Sequence, residues 1–427
     1  MAVLQVASVA APAPANEQGS SVPAPTDALS GPLTVRDALM LAMHYSPELK
    51  ATAGSVDAAA GRAWQSGRWS NPSLHLSVEE WPLDNGGSFS DAKQTIGVSQ
   101  TLPWPGKLKY DRHAGKAGVR LSESELALRR TQVARDVKVA FHEVVVTENS
   151  LQVGVDLLSI AQESAQAARK RVDAGAATYQ EQLRAEIELE RARNEVASLE
   201  VDVTNAREVL FTLLGRMDLL QSPLTASLNE TCQPELIDTP NQHWQTSHPS
   251  IQTADAAIRV AEFEVRRAKL DPYPDITASV DGGRMGETDQ SIIEFGLSIP
   301  LPLLDTSKGR KSEADANLTV AESQLESVRL QLTLNWNRAL QRYRAAGEQA
   351  AAFRERILPK TEEALRLVET GFEQGRFEFI DLLDTQRTFA ETRLAYQKKL
   401  LELNTAQADL EALLNPVLST NLTTLDP

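Results

Sequence analysis

The chain repeats its own landmarks at a spacing close to 200 residues. Pro47 and Pro249 lie 202 residues apart, and Gly175 and Gly375 lie 200 apart. Further pairs in the same order are Pro72 with Pro274, Gly97 with Gly296, and Leu213 with Leu413. A plain coiled coil would repeat every seven residues, so this spacing indicates duplication of a whole structural unit. We predict repeats at 34–220 and 240–415, with a linker at 221–239 and tails at 1–33 and 416–427.

Each repeat opens with helix signals and continues with two strand patterns. Thr34 with Asp37 three residues later fits a capping box, and Pro47 fits the first position of a second helix. Apolar and polar residues then alternate, which is typical of strands with one apolar face. The strands are expected at about residues 73–81 and 93–103 in the first repeat, and at about 275–283 and 290–300 in the second.

A very long helical pattern follows the second strand of each repeat. No proline occurs from Lys107 through Ser222. Glycines 175 and 375 interrupt the two patterns, as a left-handed glycine between antiparallel helices would. A helix from residue 106 to residue 174 would be roughly 100 Å long at about 1.5 Å per residue. Apolar residues seven apart support it, namely Val119, Leu126, Val133 and Ala140.

Composition excludes several classes of function. The net charge of −15 argues against a nucleic-acid partner, which would need clustered Lys and Arg. The single cysteine, Cys232, rules out an intramolecular disulfide and a CxxC pair. None of the six histidines has HExxH spacing. We therefore expect no catalytic residue, no cofactor and no metal site, and the chain is not expected to be an enzyme.

The strands point to a membrane and to more than one copy of the chain. The sequence has no run of about 18 consecutive apolar residues, so a membrane crossing would have to use strands. Four strands cannot close a barrel, because transmembrane barrels need about eight or more. Three chains would supply twelve strands, with the long helices forming a tube beneath. Trp69, Trp81 and Trp104 fit a belt of aromatic residues at the membrane interface, although ordinary core packing is the alternative.

The first 33 residues combine a small-residue apolar run with an Ala-Pro-Ala stretch that fits a cleavage site. They lack the basic residues that normally begin a signal peptide. This segment is therefore expected to be either the remnant of an export signal or a disordered linker.

Three segments carry a resemblance to a known family, the TolC-like outer-membrane efflux proteins, and most of all to its CzcC-like heavy-metal branch. They are SQTLPWPGK at 99–107, IPLPLLDTSKG at 299–309 and GRFEFIDLLDTQRT at 375–388. The resemblance implies a mainly α chain with a small β part, assembled as a homotrimer. It also implies a twelve-stranded transmembrane β-barrel, four strands per chain, that continues into a long periplasmic α-helical barrel.

The same resemblance implies a function and partners. The chain would be the outer-membrane channel of a tripartite efflux pump in a Gram-negative-type bacterium, extending into the periplasm. It would export substrates, heavy-metal cations first among them, to the exterior. Its partners would be a periplasmic membrane-fusion adaptor, an inner-membrane pump of the RND type and the lipid bilayer.

Two sets of site residues follow from the resemblance. Asp381 and Asp384, with Glu181 of the first repeat, would form an acidic pore constriction, against the alternative of acids on a solvated helix face. The two hairpin tips would dock the adaptor, against the alternative of plain turn chemistry. The tip residues are Val172, Gly175 and Thr178 in the first repeat and Phe372, Gly375 and Phe379 in the second.

A rival interpretation is a periplasmic coiled-coil adaptor or scaffold protein of an export system. Such a protein would share the acidic, alanine-rich heptads. It would not need paired amphipathic strands in a duplicated frame.

Overall fold

A computed structural model describes residues 31–81, 88–225, 228–232, 244–286, 288 and 290–414. Most of the predicted N-terminal segment, much of the linker and the whole C-terminal tail lie outside the described residues. The turn that joins the first strand pair, at residues 82–87, also lies outside them.

The first repeat contains four helices and two strands. They are α1 (Val35–Tyr45), α2 (Pro47–Gln65), β1 (Ser73–Glu79), β2 (Lys93–Leu102), α3 (Lys107–Asp173) and α4 (Tyr179–Leu214). The second repeat follows the same plan with α5 (Trp244–Ser247), α6 (Pro249–Ala268), β3 (Ile276–Met285), β4 (Gln290–Ser298), α7 (Lys308–Ala352), α8 (Leu358–Glu373) and α9 (Phe379–Leu414). The prediction of a mainly helical chain with a small β part is confirmed.

Local sequence accounts for the ends of these elements. Thr34 and Asp37 form the predicted capping box at α1, with the Asp37 backbone N–H donating to Thr34 Oγ1. Ser46 occupies the N-cap position of α2, but its side chain makes no capping hydrogen bond. Gly175 and Gly375 adopt φ values of 68° and 70°, the left-handed conformation that ends a helix without cost for glycine.

The helices form one layer around α3, which has 67 residues. Near the sheet, α3 packs between α2 and α6, and α6 packs on α7. Farther from the sheet, α3 packs between α4 and α9, and α9 packs on α7 and α8. Ion pairs show that α3 contacts different helices at different points along its length. Asp111 of α3 pairs with Arg267 of α6, whereas Arg135 pairs with Asp409 of α9.

The most apolar part of α3 lies in the principal core. Among the described residues, α3 is the only helix with a segment long and apolar enough to cross a membrane by composition. Val137, Phe141 and Val144 from this part of α3 are fully buried against α1 and the end of α4. A matching core in the second repeat is built around Trp336, Tyr343 and Leu403.

One irregularity keeps the helical hairpins of the two repeats in register. Trp336 and Ala339 of α7 are buried 199 residues after Val137 and Ala140 of α3, yet the two tip glycines lie 200 residues apart. Between these points, Phe353–Ile357 form a turn of π-helix. A π-helical turn accommodates one extra residue without breaking the helix. The second repeat therefore absorbs its additional residue there, and the hairpins stay in register.

The four strands form one antiparallel sheet in the order β1-β2-β3-β4. Val98 of β2 lies at its centre, opposite Leu74 of β1 and Val280 of β3. Val280 in turn lies opposite Phe295 of β4. Strands from the two repeats thus meet at β2 and β3, while β1 and β4 remain as edges within the described part of the chain.

A half-buried histidine makes the helical layer sensitive to acid. His142 lies on α3 one turn beyond Lys138, whose Nζ donates to Glu411 of α9 at 2.6 Å. Burial lowers the pKa of His142 to about 4, an effect that the Glu411 carboxylate opposes and the Lys138 ammonium reinforces. Its Nδ1 has no hydrogen-bond partner in the described part of the chain. The folded protein therefore holds this imidazole neutral.

We predict that this histidine costs stability as the pH falls. The unfolded chain takes up the proton near pH 6.5 and the folded chain only near pH 4, so stability drops between these values, by up to about 3 kcal/mol. His142→Gln should reduce the fall in melting temperature between pH 7.5 and pH 5. His44 is exposed, so His44→Gln is the control and should leave the fall in melting temperature as it is in the wild type. An equal fall in wild type and His142→Gln would contradict this role.

Candidate functional site

The sheet has two chemically distinct faces. Side chains at alternate positions of all four strands share a face, because successive residues of a strand point in opposite directions. One face is apolar and exposed, and Phe295 on it is 82% exposed. Its other members are Leu74, Leu76, Val78, Ile96, Val98, Val280, Ile293 and Leu297. An apolar face without a protein covering is what a strand in lipid requires.

The opposite face is polar and cross-linked between strands. Ser77 and Thr95 share a hydrogen bond at 2.5 Å, and Lys93 Nζ donates to Glu294 at 2.6 Å. His75 of β1 bonds to Asp281 of β3 across the intervening strand β2. Gly97 of β2 lies under this pair, where a Cβ would collide with the Asp281 carboxylate. This glycine lets two polar side chains meet over a strand.

The aromatic residues predicted at the membrane interface lie at both ends of the sheet. Trp81 follows β1 at the hairpin end, is 48% exposed and contacts Phe89 edge-on. Trp69 precedes β1 at the helix end and is 58% exposed. Trp104, also at the helix end, is half-buried and stacks on Tyr273 at 5.1 Å. The ten residues of β2 span about 33 Å, which is close to the ~30 Å of a hydrocarbon core.

The two hairpin tips lie at the far end of the helical layer and pack on each other. Ala165, Ala168 and Ala185 of the first hairpin contact Phe379, Leu382 and Leu383 of the second. Small residues on one side and large ones on the other allow close approach of the helices. The tip glycines and Thr178 are exposed, whereas Val172 is half-buried.

The two phenylalanines expected to dock an adaptor contribute mainly to the packing of the tip. Phe379 is only 6% exposed. Phe372 is half-buried, with its ring 5.7 Å from that of Phe379 and 5.0 Å from the Arg171 guanidinium. The exposed apolar side chains at the tips are instead Tyr179, Leu183, Phe377 and Ile380. Sequence reasoning missed these four.

Asp381 and Asp384 are both exposed and lie one turn apart on α9. Asp381 accepts a hydrogen bond from the backbone N–H of Glu378 at 3.0 Å and so caps its helix. Asp384 accepts one from Arg387 at 2.7 Å. Glu181 occupies the position of Asp381 in the first repeat and forms a capping box with Thr178. The pattern Thr-x-x-Glu would have revealed that capping role.

Within the described residues, no group of three or more His, Cys, Asp or Glu side chains is placed to hold a metal ion. The acidic residues Asp381 and Asp384 at the tip are exposed surface groups.

Comparison with known proteins gives a family match over both repeats. The family described as "Outer membrane efflux protein" matches residues 38–216 and 242–416. The two matched segments correspond to the two halves of the duplication and together make up most of the chain.

Curated relatives include resistance proteins for metals. The chain is 27% identical to the cobalt-zinc-cadmium resistance protein CzcC of Cupriavidus metallidurans over 382 residues, covering 88% of each. It is 24% identical to the nickel-cobalt-cadmium resistance protein NccC of Alcaligenes xylosoxydans xylosoxydans, over 69% of this chain and 66% of that protein.

Solved structures share the fold. The outer membrane protein VceC of Vibrio cholerae superposes with a TM-score of 0.73 at 17% identity, over 89% of this chain and 95% of that one. CusC, whose structures concern folding and transmembrane channel formation, gives a TM-score of 0.73 at 15% identity, over 89% and 91%.

Proposed function

Because the chain belongs to the outer membrane efflux protein family, we propose that it forms one third of a trimeric duct that exports heavy-metal cations. Family membership makes the chain a channel component of the outer membrane that extends into the periplasm, and not an enzyme. The rival interpretation as an adaptor or scaffold does not account for a match to this family over both repeats.

The proposal of a trimer rests on the two-faced sheet, whose outer strands β1 and β4 each pair on one side only among the described residues. An edge in lipid leaves backbone N–H and C=O groups without partners, at a cost of several kcal/mol each. Pairing β1 of one copy with β4 of the next removes the edges, and three copies close a barrel of twelve strands. The apolar face then points to lipid and the polar face, with His75 and Asp281, lines the lumen.

The helical layer has the same open edges as the sheet. Helix α4 lies at one margin of the layer and α7 at the other, and both expose large apolar side chains. On α4, Ile187 and Val201 are more than half exposed, and on α7 so are Val320 and Leu330. Apolar surface of this kind is normally covered by a partner. Packing of α4 and α7 against neighbouring copies would continue the barrel as a tube of helices.

The acidic residues at the tips and the similarity to metal-resistance proteins together favour metal cations as the cargo. The names of CzcC and NccC refer to resistance to cobalt, zinc, cadmium and nickel. In a trimer, Asp381 and Asp384 would present six carboxylates at the tube end, with Glu181 adjoining them. Such a ring concentrates cations by its negative field and narrows the passage.

The tips are the proposed contact with a periplasmic adaptor, which would link the duct to an inner-membrane pump of the RND type. Gly175, Gly375 and Thr178 are exposed there, and Tyr179 and Phe377 add apolar surface. Val172, Phe372 and Phe379 would act indirectly, by holding the two hairpins in the docking shape. An adaptor that separates the hairpins would open the constriction.

We predict that the detergent-extracted protein has the mass of three chains, because only closure removes the strand edges. Light scattering coupled to gel filtration measures this mass, with the detergent contribution subtracted. A monomer, or recovery from the soluble periplasmic fraction without detergent, would contradict the duct and return the adaptor interpretation.

We predict that Asp381→Ala with Asp384→Ala raises single-channel conductance in planar bilayers. It should also weaken block by multivalent cations about tenfold or more, because the ring field is lost. Glu362→Ala with Glu363→Ala on α8 is the matched control. Neighbouring helical residues point about 100° apart, so this pair cannot share one pore-facing direction. Equal effects of both double variants would argue against a constriction at α9.

Deletion of the gene should lower tolerance to Co²⁺, Zn²⁺ and Cd²⁺ and leave tolerance to organic drugs unchanged. The wild-type gene supplied in trans should restore metal tolerance. Loss of drug tolerance with intact metal tolerance would remove metals as the cargo while leaving the channel itself in place.

A further inference from the structure

A cavity lies where two helices of the second repeat meet end to end. Helix α6 begins at Pro249 and α9 ends at Leu414, and both pack between α3 and α7. At their junction a cavity of about 660 Å³ is walled by α3 and α7, and we call it the junction cavity. Its charged lining residues are Arg129, Arg135, Asp136, Arg338, Arg342 and Asp409.

The carboxylates of the junction cavity are already engaged. Arg135 donates to Asp136 and to Asp409, each at 2.7 Å. Arg129 is also paired, with Glu48 of α2. The two acids therefore share the single positive charge of Arg135.

Arg338 and Arg342 differ from Arg129 and Arg135 in their contacts. Both are exposed, both line the cavity, and neither makes a hydrogen bond or an ion pair within the part of the chain that the structure describes. They lie four residues apart on α7, which places them on one face with Cβ atoms about 6 Å apart. Two guanidinium groups thus share one opening without a direct ion-pair partner among the described residues.

The surroundings do not cancel this charge. His248 lines the cavity, but burial lowers its pKa, so the imidazole is neutral at pH 7 and neither adds to nor offsets the guanidinium charge. The start of α6 and the end of α9 carry opposite helix dipoles, which offset one another. With Glu48, which pairs with Arg129, four arginines face three carboxylates, so one positive charge remains at the cavity in a chain whose net charge is −15.

The arginine pair is not inherited from the duplication. At the spacing of 199 residues that matches the buried positions here, the counterparts of Arg338 and Arg342 are Val139 and Glu143. The first repeat therefore lacks the pair, and the feature belongs to the second repeat alone.

We propose that Arg338 and Arg342 form a binding site for a small multivalent oxyanion that carries phosphate or carboxylate groups. Guanidinium groups bind such oxygens through two parallel N–H donors, a geometry that a halide cannot match. The cavity has ample room for an anion of pyrophosphate or citrate size. All lining side chains come from one chain, so the site does not depend on the trimer or on the cargo proposed above.

Calorimetric titration of the full-length protein in detergent with inorganic pyrophosphate tests the site. Saturable binding of one anion per chain is expected, and citrate in a second titration distinguishes carboxylate from phosphate preference. R338Q with R342Q should weaken binding about 100-fold, since hydrogen bonds to charged groups are lost at two positions. R344Q is the matched control, because Arg344 is exposed on the same helix and is not among the residues that line the cavity.

The outcomes separate the site from general electrostatics. Unchanged binding in R344Q with loss in the double variant supports the proposal. Absence of saturable binding of both anions to the wild type, equal weakening by R344Q, or displacement of pyrophosphate by sodium chloride no less than by citrate at matched ionic strength would overturn it. Should the double variant misfold, R338Q and R342Q measured singly should each weaken binding about tenfold.

Discussion

Backbone hydrogen bonding at the edges of the sheet is the constraint on which the rest of this structure depends. Within the described residues, β1 and β4 each pair on one side only, and the face that carries Phe295 has no apolar protein covering. Water could satisfy such an edge, but lipid cannot. A face built for lipid and an edge that lipid does not tolerate can coexist only if other chains supply the missing strands. The open edges of α4 and α7 repeat the same requirement in the helices.

Duplication explains how one chain meets that requirement in a closed ring. Each repeat supplies two strands and a helical hairpin, so the proposed trimer would present six nearly equivalent units around its axis. The units must keep the same length for their tips to reach one level. The π-helical turn at Phe353–Ile357 serves this purpose, because it takes up one extra residue inside a packed helix. Pro359, just after it, fits the first turn of α8.

Much of this architecture could be predicted from the periodicity of apolar residues and from the positions of turn glycines in the sequence. Alternation placed the strands, heptads placed α3, and the left-handed glycines placed the tips, because each is a local property of the backbone. Exposure at the tips could not be predicted in this way. Phe372 and Phe379 face each other across the turn of the second hairpin, and Phe379 is buried against alanines of the first, while Tyr179 and Phe377 are left outside. The capping role of Asp381 and the partner of Asp384 likewise depend on rotamers that spacing alone does not determine.

The distribution of charge along the helices argues against a uniformly acidic duct. The acidic residues at the tip are exposed on α9. At the junction between α6 and α9, four arginines line one cavity, and its two carboxylates both pair with Arg135. The sequence shows these arginines as isolated cations scattered over two helices 200 residues apart. Only the meeting of two helix ends brings them to one cavity. A net charge of −15 therefore describes the chain but not each of its sites, and the proposed duct would hold an anion and a cation at different levels.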